Sequence, residues 1–486
     1  MTALRARHAA GLTGFGFFFL VGAGEADAQS GPIKNNQYTV EFFQGPLLAP
    51  TNVEALAGAT TAVADGVNGG AVNAAAPAVR QPFSMKWLDL DVDLGVSFPG
   101  AYTKMDYDDH GPGSIDQVND FLYANAGIAV QLGELGLAAS ADLLRYQVVG
   151  RGGLDVTAGR YHVLAAYGFF ENQVVVGGGF RAVTMQLSEG GSALIGGLNP
   201  VGASLTMSGL GPELGMIWKP NELPLRIGAT LRTAVTGSDL GTGKTTTDLE
   251  GVVRSGGVIV PSAVTMPWEI ETGFALQIGP RPLNPAWLNP DVEEEPLERR
   301  VRWAREARAA QDVRTLEATD PAQRPARQAE LAAEEAAIRV IEEQHLALEK
   351  AKLLAERKAR YENWPREKIL VVASLLVTGA SPNAIALEDF FDQRIEAYGE
   401  HATYSPRVGL EAEPIPSWLK GRVGSYLEPS RFSGIAARQH FTTGADVKLF
   451  AWDAFGLTRG QVWRVSAVAD VAPRYTNWGL SVGAWH

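Results

Sequence analysis

The sequence predicts an all-β chain, an antiparallel transmembrane β-barrel of about fourteen strands with an N-terminal plug in its lumen and an inserted α-helical hairpin. Three observations carry that reading. From Arg80 to His486, short segments place an apolar residue at every second position. In Leu88-Asp89-Leu90-Asp91-Val92-Asp93-Leu94-Gly95-Val96 this gives a strand one oily and one acidic face. The first thirty residues read as an export signal: Arg5, Arg7 and His8, the apolar Phe15 to Val21, then Ala26-Asp27-Ala28 before Gln29. No later segment supplies the ~20 apolar residues a spanning helix needs, so strands are left to cross a bilayer, oily face outward and charged face inward. The expected location is the outer membrane of a Gram-negative bacterium, after signal cleavage.

Composition agrees. The chain is 46% hydrophobic with 54 glycines, and its mean hydropathy of -0.03 is the near-neutral average of alternating faces. A length of 486 residues would suggest about three soluble domains, but one large barrel absorbs it. Without cysteine there is no disulfide framework, thiolate metal site or thiol nucleophile. A net charge of -12 argues against a nucleic-acid partner.

The chain divides into a signal peptide (1–28), a plug (29–79), strands one to eight (80–284), a helical insertion (285–366) and strands nine to fourteen (367–486). The plug is dense in Ala, Gly, Asn and Thr, which suits a piece fitted inside something else, and Val53, Leu56, Val63 and Val72 favour packing over a flexible linker. Strands are expected near 84–99, 121–132, 135–149, 158–170, 173–187, 203–218, 224–236, 265–280, 367–379, 404–416, 419–431, 441–453, 461–472 and 476–486. Short connections at Glu134, Glu171-Asn172, Pro220-Asn221-Glu222 and Ser417-Trp418 alternate with long ones, so the short set should be periplasmic and the long set extracellular.

From Glu293 to about Asn363 the period turns helical, and Asp320-Pro321 through Arg324-Pro325 breaks it into two helices. Leu297, Val301, Ala304 and Ala307 on one side, with Leu331, Ile338, Ile341 and Leu348 on the other, are expected to pack the two together or against a partner. Following a downward eighth strand, this hairpin should stand in the periplasm, where a protein partner is conceivable.

Sites for chemistry are sparse. Gly241-Thr242-Gly243-Lys244-Thr245 lacks the leading glycine of a phosphate loop, since Ser238 stands there. The seven histidines make no metal-ligand spacing, and Asp106, Asp108, Asp109 and Asp116 read as a polar loop. No enzyme, cofactor or metal is expected. Strand phase instead turns charges into the lumen: Asp89, Asp91 and Asp93; Arg226 and Arg232; Glu269 and Glu271; Arg407, Glu411 and Glu413; Arg422 and Glu428; Arg464 and Asp470. Their mixed signs favour internal salt bridges and plug contacts over an ion-selective ring.

The run Ala57 to Gly66, followed by Asn73 and Pro77, resembles the N-terminal hatch of the FadL-like outer-membrane transporters for long-chain fatty acids and aromatic hydrocarbons. So do Pro220 to Ala229 and Glu428-Pro429-Ser430-Arg431-Phe432. The resemblance covers roughly 45–280 and 367–486. It implies a fourteen-stranded barrel blocked by a hatch in which Gly58, Asp65, Asn73 and Pro77 hold the characteristic positions. It also implies a hydrophobic small-molecule ligand, released sideways into the bilayer. The chain departs from the family in its Asn73-Ala74-Ala75-Ala76-Pro77 step, its Trp485-His486 ending and its helical insertion. Its third strand carries Gly136 but no proline or glycine pair to mark a bulge. Three functions remain: a transporter of hydrophobic molecules, an adaptor barrel whose hairpin recruits a protein, and, most distant, an outer-membrane enzyme.

Overall fold

The computed structural model describes residues 31–485 except 43–44, 82–83, 85, 102–104, 108, 112–117, 149–153, 190–202, 240–244, 256–257 and 454–460. The export signal, Asp108, Asp116, the loop from Gly241 to Lys244 and His486 lie outside the described residues.

Fourteen long strands form one closed ring. They are β1 (Leu88–Ser97), β2 (Val118–Leu132), β3 (Leu135–Val148), β4 (Leu154–Phe169), β5 (Val174–Glu189), β6 (Ala203–Trp218) and β7 (Leu225–Arg232, resumed as Val235–Asp239). There follow β8 (Ala263–Met266, resumed as Glu269–Ile278), β9 (Ile369–Thr378), β10 (Thr403–Ile415), β11 (Leu419–Glu428), β12 (Arg438–Ala451), β13 (Val462–Ala472) and β14 (Tyr475–Ala484). Each pairs antiparallel with its sequence neighbour, and β14 returns to β1 through registers such as Leu480↔Val96 and Gly483↔Asp93. Closure leaves no row of unpaired amides to face lipid. The outward phase is largely apolar: Leu94, Val163, Leu210, Phe274, Val408 and Phe441 are all exposed. Trp87, Tyr167, Phe169, Trp218 and Trp418 are exposed at the short-turn end, where aromatic side chains suit a membrane interface.

The wall is interrupted in one respect that the sequence did not announce. The ladder between β6 and β7 runs to Glu213↔Arg232 and resumes only at Ser238↔Ser208. Pro212, which has no amide to donate, lies in the gap, and its carbonyl accepts from Thr233 N at 3.1 Å. The β3–β4 ladder, by contrast, is continuous from Leu135↔Tyr167 to Val148↔Leu154.

At the long-loop end Thr39–Glu41 pairs in parallel with Ala263–Thr265 on one side and Ala384–Ile385 on the other. The chain then descends into the lumen as the hatch, with the short helices α1 (Thr51–Ala55) and α2 (Gly66–Gly70), and leaves at the short-turn end to start β1.

The insertion forms helices α3 (Pro290–Ala318) and α4 (Arg324–Glu362). Asn289 caps α3 by accepting from Asp291 N at 3.0 Å, and Pro325 falls in the first turn of α4, where a missing donor costs nothing. Pairing between the helices is largely ionic: Arg305–Glu342 at 3.0 Å, Arg308–Glu335 at 2.9 Å and Lys350–Glu298 at 2.6 Å. Leu331 is buried, whereas Ile341 and Leu348 are 66% and 69% exposed, and Ala304 and Ala307 are exposed too. The expected apolar interface is therefore narrower than the sequence suggested. At 3.6 residues per turn the stripe continuing from Leu331 passes through Glu335, Glu342, Leu346 and Leu353, while Ile341 and Leu348 fall to one side of it.

One consequence concerns the outer wall. Val163→Arg, at the middle of β4 on the lipid side, should cost on the order of 2 to 4 kcal/mol of folding free energy in lipid vesicles. Denaturant titration followed by the heat-modifiable gel shift reads this; an unchanged midpoint would refute the assigned facing.

Candidate functional site

The hatch consists of small residues because its backbone presses directly on the wall. A Cβ at Gly177 of β5 would overlap the Ala74 carbonyl, and one at Gly215 of β6 would overlap the Asn73 side chain. Asn73, fully buried, donates to Thr61 O at 2.9 Å, Met216 O at 3.2 Å and Ala229 O at 3.3 Å, and accepts from Ala75 N at 3.0 Å. One amide thus binds two stretches of hatch to β6 and β7. The Pro77 carbonyl accepts from Gln131 of β2 at 2.9 Å. Gly58 takes φ +73°, beside the Arg407 guanidinium. Asp65 precedes α2 and lines a cavity with Arg226.

Around the hatch the lumen wall carries buried charges, and most of them meet a partner, as a low-dielectric interior demands. Asp93 meets Arg464 at 2.8 Å. Arg464 approaches Asp446 at 3.6 Å, and Asp446 lies 2.8 Å from Arg422. Glu411 joins Arg422 at 2.8 Å and Lys368 at 2.7 Å. On the opposite wall Glu269 bridges Arg181 at 3.1 Å and Arg232 at 3.3 Å, and Glu213 pairs with His162 at 2.8 Å. Arg232 also donates to the Ala71 and Val72 carbonyls of the hatch, at 2.8 and 2.5 Å. Glu271 accepts from Ser374 at 2.6 Å and lies 3.8 Å from Arg407. Asp89 pairs with Arg80 at 2.9 Å, Asp91 accepts from Val67 N at 2.8 Å, and Arg226 donates to Asn284 at 2.7 Å. Glu428 meets Arg438 at 2.7 Å and His440 at 2.6 Å, and His440 reaches Asp470 at 3.0 Å.

Above this belt, towards the long loops, the lumen changes character. Tyr123, Leu144, Tyr146, Val156, Met185, Met207, Val235 and Met266 point inward and are buried. They enclose Tyr38, Phe42 and Leu48 of the descending N-terminal segment. Tyr107, Phe121 and Tyr146 stack with ring centroids 4.9 to 5.7 Å apart. The chamber is largely filled. Its apolar void, between Phe42, Val183, Met207, Val235 and Met266, measures about 20 Å³, and two more polar spaces beneath it about 90 Å³ each. Near the loop end Glu41 accepts from Arg431 Nε and Nη2, both at 2.7 Å, with both side chains wholly buried.

The sequence overlooked Arg160 and His162 on β4, Arg181 on β5 and Glu213 on β6, all on the inward phase. Inward phase alone was the signal that could have found them. It also overlooked the Glu41–Arg431 pair, whose members lie 390 residues apart with no periodicity between them. Asp106 is buried and accepts from His110 N at 2.9 Å and Gly111 N at 3.0 Å. Among the described residues no group of three or more His, Asp or Glu is placed to hold a metal ion.

No family model matches the chain, and no curated protein matches it. Among solved structures it is similar to the CymD monoaromatic hydrocarbon channel, at 9% identity over 90% of this chain and 96% of that one, with a TM-score of 0.45. It is also similar to the Pseudomonas putida toluene transporter TodX, at 10% identity over 91% and 98% of the two chains, with a TM-score of 0.41. A closed fourteen-strand barrel with an N-terminal hatch in its lumen is the fold that the FadL-like resemblance implies.

Two outcomes follow from the packing. Gly215→Val should push Asn73 off the wall and raise single-channel conductance in planar bilayers well above that of the parent; equal conductance would show that the hatch does not depend on this contact. At the loop end, the Asp109 carboxyl is pushed up to about 7 by burial, with the Glu428 carboxylate adding to the effect and Arg438 opposing it. Because the shift is upward from the usual ~3.9, its contribution to stability is present in acid and lost as pH rises through about 7. Hydrogen exchange at residues 429–437 should therefore show less protection at pH 8 than at pH 5.5, and Asp109→Asn should abolish the difference.

Proposed function

We propose that this chain takes up hydrophobic small molecules, of fatty-acid or hydrocarbon type, across a Gram-negative outer membrane. One observation carries the reading. The outer half of the lumen is lined by buried aliphatic and aromatic side chains, where a barrel passing polar solutes needs a wet, polar interior. An apolar solute entering there trades water for Tyr146, Met185, Met207 and Val235, at roughly 25 cal/mol for each Å² buried. Because the chamber is filled by Tyr38, Phe42 and Leu48, the ligand must displace the N-terminal segment. The resemblance of the hatch to the FadL-like transporters supports the same substrate class.

A second reading has its own observation. The outer flank of α4 leaves Val340, Ile341, Leu348 and Leu354 exposed, an apolar strip at the end of the barrel where the short turns lie. It would let the hairpin of 293–363 hold a periplasmic protein.

Cells expressing the chain should take up radiolabelled toluene or oleate faster than cells with an empty vector, and Met185→Asp should remove the gain. A gain for sugars alone would refute the hydrophobic reading. Deleting 51–79 should leave a heat-modifiable barrel that conducts ions. For the hairpin, trypsin added to intact cells should spare Arg327 and Arg339, and should cut them once the outer membrane is opened; cutting in intact cells would invert the topology.

A further inference from the structure

One carboxyl stands apart from the ion pairs of the lumen. Glu54, on α1 of the hatch, is fully buried, and no Lys, Arg or His of the described residues lies within ion-pair distance of it. Its Oε1 accepts from Asn477 Nδ2 of β14 at 2.6 Å. Its Oε2 has no donor, and neither has Oδ1 of the same Asn477. The ionisable groups facing α1 are either anionic or already engaged. Asp470 of β13 meets His440 of β12 at 3.0 Å and accepts from Tyr426 of β11 at 2.8 Å, and Glu428 of β11 meets His440 at 2.6 Å and Arg438 at 2.7 Å. Tyr475 of β14 and Tyr123 of β2 bring hydroxyls but no cation. Further down the same strands Arg422, Asp446 and Arg464 pair with one another and with Asp93, and α2 carries no ionisable side chain.

An ionised Glu54 would be a buried charge met only by one neutral amide, which a low-dielectric interior penalises heavily. The acid form fits. A proton on Oε2 donates to Asn477 Oδ1 while Asn477 Nδ2 donates to Oε1, so a single hydrogen satisfies both orphaned acceptors. The pair sits where α1 is fastened to the wall: Thr51 hydrogen-bonds Ser481 of β14 at 2.7 Å, and Thr442 of β12 donates to the Ala55 carbonyl at 3.1 Å. Glu54 belongs to the hatch and not to a spanning strand. Burial, and after it the Asp470 carboxylate, hold its proton to well above the usual carboxylate range, against the pull of the Asn477 donor. Because the folded value is raised, the contribution to stability is present in acid and lost as pH rises through that value.

We propose that Glu54 and Asn477 form a proton-operated latch. The neutral acid–amide pair docks α1 on β14; loss of the proton to bulk water leaves an unpaired carboxylate beside Asp470, which drives α1 off the wall and loosens the hatch. The latch does not rest on the uptake reading, since it concerns how the hatch is seated and not what passes it.

Infrared spectroscopy of the full chain in lipid nanodiscs, labelled with carbon-13 glutamate, tests the proton itself. A protonated-carboxyl C=O band that moves with the label is expected at neutral pH; its absence there would overturn the latch even if no variant folds. Glu54→Gln, which keeps an amide pair with Asn477, should remove the band and still pass the gel-shift test of folding. Planar-bilayer conductance tests the consequence. In the parent it should rise severalfold between about pH 6 and about pH 10, in Glu54→Gln it should stay at the parent's acidic level, and Asp109→Asn should keep the rise. A band that survives Glu54→Gln, a flat parent conductance, or a rise that Glu54→Gln keeps or Asp109→Asn loses would each overturn the assignment.

Discussion

The structure depends on one constraint: in hydrocarbon, a backbone amide or carbonyl without a partner costs several kcal/mol. Strands satisfy each other only if the sheet has no edge, and the β14–β1 ladder removes the last one. Once the ring is closed, alternation assigns every residue to lipid or lumen. A fourteen-strand ring encloses more space than its own inward side chains fill, and residues 38–79 occupy the remainder. The gap in the β6–β7 ladder at Pro212 is tolerated because Val235 packs over Gly209 and Gly211 there.

Inside the ring the lumen is divided by chemistry. An apolar cluster in the outer half holds Tyr38, Phe42 and Leu48; an ionic belt surrounds the hatch and reaches the loop end at Glu428, Arg438 and Arg431. The charges do more than neutralise one another. Arg232 satisfies both Glu269 and the hatch carbonyls of Ala71 and Val72, and Arg160 donates to Leu48 O at 3.0 Å. Each guanidinium has donors to spare after its carboxylate, and these spare donors grip the plug. Such a contact can be broken and re-formed, whereas backbone wedged against Gly177 and Gly215 resists sliding until the wall yields.

The helical insertion follows different physics. It lies in water, and its interhelical ion pairs are exposed enough for each to contribute little. With Leu331 its only buried apolar residue beyond Pro290, it is rooted on the barrel side, where Asn289 donates to Glu134 at 3.0 Å and Trp287 to the Ser84 carbonyl at 3.1 Å. Leu283 and Tyr361, flanking the helices, line the same cavity as Asp65 and Arg226, so the insertion and the lumen share one surface.

The sequence by itself determined the barrel, its fourteen strands, their facing and the helical hairpin, because a period of two and a period of 3.6 are local properties of a chain. It also placed Asp93, Arg232, Glu269, Glu411, Arg422 and Arg464 on the inward phase, for the same reason. Partnership was beyond it. That Arg464 meets Asp93, that Arg431 meets Glu41, or that Asn73 binds β6 and β7 depends on which strands stand opposite across the lumen, and ring closure and shear decide that. The division of the lumen into an apolar cluster and an ionic belt was hidden likewise, since it depends on height along the strands and not on phase. Tertiary structure alone decided that residues 39–79 enter from the loop end and run the length of the lumen: small residues say that a segment fits inside something, but not from which end it enters.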